Sequence, residues 1–349
     1  LYAYNYRGHL LRAMGRSDDA IEAFQAGAGR AHDARIPARE AFCRLGAAAL
    51  YLETGKLDDG LNAYSESVEL ARRANRTDQL AQSLVLLAEA LVTCGRASEA
   101  IPSLEEAIGV LRRIGQEEPV AAAMAQLAAV QQKTGLPAAE NTWREVADLQ
   151  ERLGNKDGHM TALEQLAGLR RAVDRQEAHW LYRRALALAT ELDDTESEAR
   201  VRNSLGLLAW QGGELDDAEN QLSKAAGLLR RSQNTGELGV VLNGLGAVLT
   251  RMDRAVEAGR VLQEALALNK QNQLESAEAD SMAALGAASL AGGDAAEAQT
   301  WYQQCVQLRR ALGDRAGEGW ALFRLAEASL QAGESQQATA YAAAALAMG

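Results

Sequence analysis

Four histidines and three cysteines are the residues of this 349-residue chain best suited to chemistry, and their spacing argues against it. His9, His32, His159 and His179 form no i, i+4 pair, and none lies near a cysteine at the spacing a zinc site needs. Cys43, Cys94 and Cys305 are odd in number and far apart, which fits buried thiols in a reducing compartment. Cys94 stands just before a turn glycine, but no histidine neighbours it in sequence to serve as its base. Gly244, Leu245 and Gly246 lack the third glycine and the preceding strand of a dinucleotide-binding turn, and no Walker-type phosphate loop occurs. The sequence thus offers no catalytic residue, no metal ligand set and no cofactor site. It predicts a protein that is not an enzyme.

Composition narrows the partners. A net charge of −11 argues against direct binding to a phosphate backbone, which needs a basic surface. No apolar run is long enough to span a bilayer, and no charged segment followed by an apolar one reads as a secretory signal. The expectation is a cytoplasmic protein with neither nucleic-acid nor membrane partners. Arginine far outnumbers lysine and alanine is abundant, a bias that fits a GC-rich bacterial genome. The chain opens inside an apparent helix at Leu1, so a fragment of something larger is expected.

What must position any functional residue here is a repeat. Turns at Gly15, Gly55, Gly95, Gly213, Asp253, Gly293 and Gly333 read alike, and those at Gly135 and Asp174 are one residue shorter. Seven residues before each lies a small residue: Gly8, Ala48, Ala88, Ala128, Ala167, Gly206, Gly246, Gly286 and Ala326. These recur at intervals of 39 or 40 residues. The copies run about 1–34, 35–76, 77–116, 117–155, 156–194, 195–234, 235–274, 275–314 and 315–349, as a single solenoid over 1–349. Each copy holds two helical segments. The second carries a small–large–small triplet at i, i+4 and i+7, as in Ala20/Phe24/Gly27, Ala218/Leu222/Ala225 and Ala298/Tyr302/Cys305. One helix pair cannot bury that stripe alone, so stacking is required.

Charged residues follow the same register. Asp19, Asp59, Glu99, Glu177, Asp217, Glu257 and Glu297 precede the small residue of the second helix, where an acid complements the positive N-terminus. Arginine pairs at 72–73, 112–113, 230–231 and 309–310 fall near second-helix C-termini, where cations do the same. Pro37, Pro119 and Pro137 mark helix starts, and Pro102 lies somewhat deeper, with a small distortion expected.

The pattern of a Leu-Gly or Leu-Ala pair, a glycine seven residues on, then alanine, a large residue and alanine resembles the tetratricopeptide repeat (TPR) family. The repeat is longer than the usual 34 residues, so it is most similar to the extended variant of Pins/LGN-type adaptors and of the sensor arms of large bacterial regulators. The resemblance implies an all-α, right-handed superhelical solenoid of about nine helix pairs. First helices would line a concave groove that takes a protein or peptide segment. Groove positions then lie three residues before and one, four and five after each small residue, with one further arginine a turn earlier. In copies five to seven they hold Glu164, Arg171, Arg200, Asn203, Trp210, Asn243, Thr250 and Arg251, and in the last copy Trp320 and Phe323 share the face. Copies three, four and eight are plainer, copy eight offering Ala283, Ala287 and Leu290. Binding is therefore expected along copies five to seven. Truncating Trp210 and Asn243 together should weaken it by about 2 kcal/mol or more while changing folding little. The lysine, asparagine and arginine clamp of one TPR subclass is not made out in the first two copies. The function implied is a partner-binding or sensor arm of a larger bacterial regulatory protein, with a free-standing adaptor or a regulatory peptide receptor as alternatives.

Overall fold

The computed structural model describes residues 2–348, and every regular element among them is a helix. The chain divides into two compact units, Leu1–Leu166 and Ala167–Gly349. The first contains α1 (Tyr2–Ala13), α2 (Ser17–Asp33), α3 (Pro37–Glu53), α4 (Leu57–Arg73), α5 (Thr77–Thr93), α6 (Ala97–Arg113), α7 (Glu117–Lys133) and α8 (Ala138–Arg152). Helix α9 (Lys156–Arg170) begins in the first unit and ends in the second. The second continues with α10 (Arg175–Glu191), α11 (Thr195–Gln211), α12 (Leu215–Ser232), α13 (Thr235–Arg251), α14 (Ala255–Gln271), α15 (Glu275–Ala291), α16 (Ala295–Ala311), α17 (Arg315–Gln331) and α18 (Ser335–Leu346). Odd-numbered helices are the first helices of the repeat and even-numbered ones the second.

The repeat register becomes packing through one recurring contact. The small residue of a first helix faces the large middle residue of its partner's triplet. A Cβ added at Gly8 would lie 2.6 Å from the Phe24 ring, at Gly206 2.6 Å from Leu222 and at Gly246 2.4 Å from Leu262. Leu222, Leu262 and Tyr302 are wholly buried, and Ala218, Ala225, Ala258 and Ala265 beside them let the helix axes approach. Ser67 inside this packing is satisfied locally: it donates to the Ala41 carbonyl and meets Ser83 Oγ at 2.9 Å.

Turn geometry explains the glycines. Gly55, Gly95, Gly213 and Gly333 take φ between 77° and 83°, open to glycine at little cost; of the two copies that lack glycine, Asp253 takes φ 57° and Asp174 is the extended N-cap of α10. A second set of left-handed residues, at Arg35, Asn75, Gly115, Gly154, Asp193, Gln233, Gln273 and Gly313, joins one copy to the next. Pro37 opens α3 and Pro137 caps α8, while α6 runs on past Pro102. The arginines near second-helix C-termini do more than complement a dipole. Arg72 reaches Glu106 at 2.8 Å and Arg230 reaches Glu264 at 3.0 Å, each an acid on the second helix of the following copy.

Candidate functional site

A built concavity lies in the second unit. It encloses about 990 Å³ and is lined mainly by the first helices α11, α13, α15 and α17. Of the residues singled out by register, it brings together Asn203, Trp210, Asn243, Thr250, Arg251 and Trp320. The others fall elsewhere. Phe323 is exposed on α17 but does not line the cavity, and Arg200 is exposed on α11 with its guanidinium on Ser197 Oγ at 3.1 Å. Arg171 lies in the turn after α9, because α9 stops three residues past Ala167 whereas α11 and α13 run five past Gly206 and Gly246. Glu164 is buried in α9, in the first unit.

Copy eight, which reads as plain in sequence, forms the floor. Ala283, Ala284, Ala287 and Leu290 of α15 line the cavity alongside Gly244 and Ala247 of α13. The small size of the alanines and glycine leaves the space that the tryptophans border. Register reasoning also missed Asp280, Arg309, Asp314 and Arg324. Asp280 and Arg324 stand six and two residues before their small residues, not three. Arg309 comes from the end of α16, where it looks like a helix-end cation.

Trp210 sits partly buried against the core of α12 to α14, and its Nε1–H is buried without an acceptor among the described residues. The Arg251 guanidinium carbon lies 5.8 Å from the Trp210 ring centroid, and its Nη1 lies 3.5 Å from the Trp210 carbonyl. Trp320 is 51% exposed, meets Tyr302 edge-on at 6.5 Å and has Arg324 5.9 Å from its ring. Arg309 is held between two acids, on Asp314 at 2.8 Å and on Asp280. Burial alone would pull this guanidinium's pKa down, but Asp280, Cys305 and Asp314 outweigh it and the net direction is up. It stays charged.

Asn243 is not a free amide. Its Nδ2 donates to the Ala277 carbonyl at 3.1 Å, and its Oδ1 accepts from Ser281 Oγ at 2.7 Å. Wholly buried Asn269 of α14 donates to the same Ser281 Oγ at 3.0 Å. One side chain therefore ties α13 to α15, and α13 lies directly beside α15. Truncating Asn243 would remove two hydrogen bonds between α13 and α15, so an effect on packing is expected beside any effect on binding. Thr250 likewise spends its hydroxyl proton on the Gly246 carbonyl at 2.8 Å. No group of three or more metal-ligating side chains occurs among the described residues, and no described helix is long and apolar enough to cross a membrane.

No protein-family model matches the chain, and no curated protein matches it. Solved structures do. The signal transduction ATPase with numerous domains (STAND) protein with a TPR sensor from Pyrococcus horikoshii aligns with TM-score 0.64 and 13% identity over 93% of this chain. This chain spans about half of that protein, 52% of it. The apo quorum sensor NprR from B. thuringiensis aligns with TM-score 0.51 and 13% identity, covering 99% of this chain and 86% of its own. BtubC from P. vanneervenii aligns with TM-score 0.52 and 21% identity over 62% of this chain and 92% of its own. The fold is that of the tetratricopeptide repeat solenoids. At these identities the likeness is one of architecture.

Proposed function

We propose that this chain is a non-enzymatic binding scaffold whose second unit takes a protein or peptide segment in the cavity of α11, α13, α15 and α17. The observation that carries the reading is the cavity itself, which has a small-residue floor, two tryptophans and a few convergent polar groups. Two tryptophans with arginines near their rings are the composition of an interface hot spot. The likeness to a TPR sensor and to a quorum sensor supports placing the chain as the partner-binding or sensor arm of a larger bacterial regulatory protein. A free-standing adaptor would use the same cavity.

The test is selection of phage-displayed peptides on the immobilised chain, followed by calorimetry of the enriched peptide. Trp210→Ala with Trp320→Ala should weaken it by about 2 kcal/mol or more, roughly 30-fold. Asn243 is left intact because of its place in the α13–α15 network. An unchanged affinity in the double variant would put the binding surface elsewhere.

A further inference from the structure

Resting on that reading, we infer that the ligand carries a carboxylate, bound by Arg251 at one end of the cavity, beside a bulky apolar side chain seated on the alanine floor of α15. The charge balance comes first. Three arginines and two aspartates line this cavity, and with Glu327, the partner of Arg324, acids and bases are equal in number.

The three arginines are not equivalent. Arg309 is committed to Asp280 and Asp314, and Arg324 to Glu327. Arg251 makes no ion pair with any described residue; its contacts are the Trp210 carbonyl, at a long 3.5 Å, and the Trp210 ring. A guanidinium near an aromatic ring and free of acids keeps its planar fork for a carboxylate. It is the one arginine of the cavity wall whose acid is missing among the described residues.

The apolar half follows from size. Position −3 of the register is Asn203 in α11 and Asn243 in α13 but Ala283 in α15, and position +1 is Leu207 in α11 but Ala287 in α15. The floor is therefore hollowed beneath copy eight, with Trp210 on α11 and Trp320 on α17 to either side in chain order. A large aromatic or branched side chain fills such a hollow, whereas a small one leaves it wet. The carboxylate can be a peptide's own C-terminus or an Asp or Glu side chain, and the experiment separates the two.

Three octapeptide libraries are passed over the immobilised chain and the retained peptides counted by mass spectrometry. One has a free C-terminus and no Asp or Glu, one is amidated with no Asp or Glu, and one is amidated but contains Asp and Glu. The chain should retain the first or the third roughly tenfold or more over the second, the share of one charge-assisted hydrogen-bonded pair. Which of the two is retained names the source. Arg251→Gln should erase that preference, and Arg251→Lys should keep part of it. Ala287→Leu should erase enrichment of large apolar residues while leaving the carboxylate preference. Equal retention of all three libraries, or a preference that survives Arg251→Gln, overturns the carboxylate anchor. Apolar enrichment that survives Ala287→Leu overturns the hollow. In either case the cavity reading stands if Trp210→Ala with Trp320→Ala lowers total retention. No retention of any library, or retention indifferent to both tryptophans, overturns both.

Discussion

At the scale of single residues, glycine separates two effects that sequence alone merges. Gly246 and Gly227 both lie inside helices, where alanine is ordinarily preferred by about 0.5–1 kcal/mol because it restricts the unfolded chain. At Gly227 an added Cβ meets nothing within 4 Å, so Gly227→Ala should stabilise by about that amount. At Gly246 the same Cβ would lie 2.4 Å from Leu262, which is wholly buried and cannot swing aside. Overpacking of this kind costs about 1–3 kcal/mol, so Gly246→Ala should destabilise despite the better helix former. Urea unfolding of the two variants beside the parent gives opposite shifts in midpoint if this is right; a stabilised Gly246→Ala would refute the small-against-large contact. That contact was legible in the sequence, because nine copies place a small residue at one register position. The cavity was legible only in part. Trp210, Asn243 and Arg251 share a simple register on first helices, whereas Asp280, Arg309 and Arg324 enter from other registers or from a second helix. Alanines that look featureless as letters are informative only once their neighbours show the hollow they leave.

At the scale of helices, side-chain caps are unevenly distributed. In the second unit, α10, α11, α13, α16 and α17 begin with Asp174, Asp194, Asn234, Asp294 and Asp314, whose side chains accept from first-turn backbone N–H groups. Helices α2 to α8 have no side-chain cap hydrogen bond. Arg16, Arg96 and, in the second unit, Arg254 stand at the cap position and pair with the acid three residues on. A side-chain cap contributes roughly 0.5–2 kcal/mol, so first-turn amides of α2 to α8 should exchange faster than those of the five capped helices. Asp194 adds a pH dependence. The Ser197 hydroxyl, then the backbone N–H groups of Ser197 and Glu196, hold its carboxyl below the usual carboxylate range against the opposing effect of burial. A depressed folded value means stability fully present above the unfolded pKa of about 4 and lost as pH falls through the lower folded value. Protection of the first-turn amides of α11, measured against their intrinsic exchange rates, should therefore fall on acidification through that window. In Asp194→Asn, which keeps an acceptor but no titrating charge, this acid-induced change should shrink. Equal acid sensitivity in both would remove Asp194 as its source. Turns within copies were readable because glycine marks them. The turns between copies were not, because Arg35, Asn75, Asp193, Gln233 and Gln273 take the left-handed conformation that only their helix-end context imposes.

For the molecule as a whole, the governing fact is that within each unit helices pack chiefly on their neighbours along the chain. Stability in such an array is a sum of local and nearest-neighbour contributions, so a lesion is felt where it lies before it is felt everywhere. Ala225 is the place to test this. It is fully buried in the core shared by α12, α13 and α14, at the third position of the Ala218/Leu222/Ala225 triplet. A leucine there adds bulk where helices are in close contact, at a cost of about 1–3 kcal/mol. In a globular domain of one cooperative core that loss would lower protection of all slowly exchanging amides together. Here Ala225→Leu should speed exchange across residues 200–265, which hold α11 to α14, while residues 2–100 of the other unit keep their protection at low denaturant. Hydrogen exchange read by mass spectrometry on the parent and the variant decides it. Uniform loss of protection from α2 to α17 would mean that the chain unfolds as one cooperative body and that the nearest-neighbour account is wrong. Loss confined to 200–265 would mean that repeats around the proposed cavity can yield locally, and a ligand bridging α11, α13, α15 and α17 should then slow that same exchange.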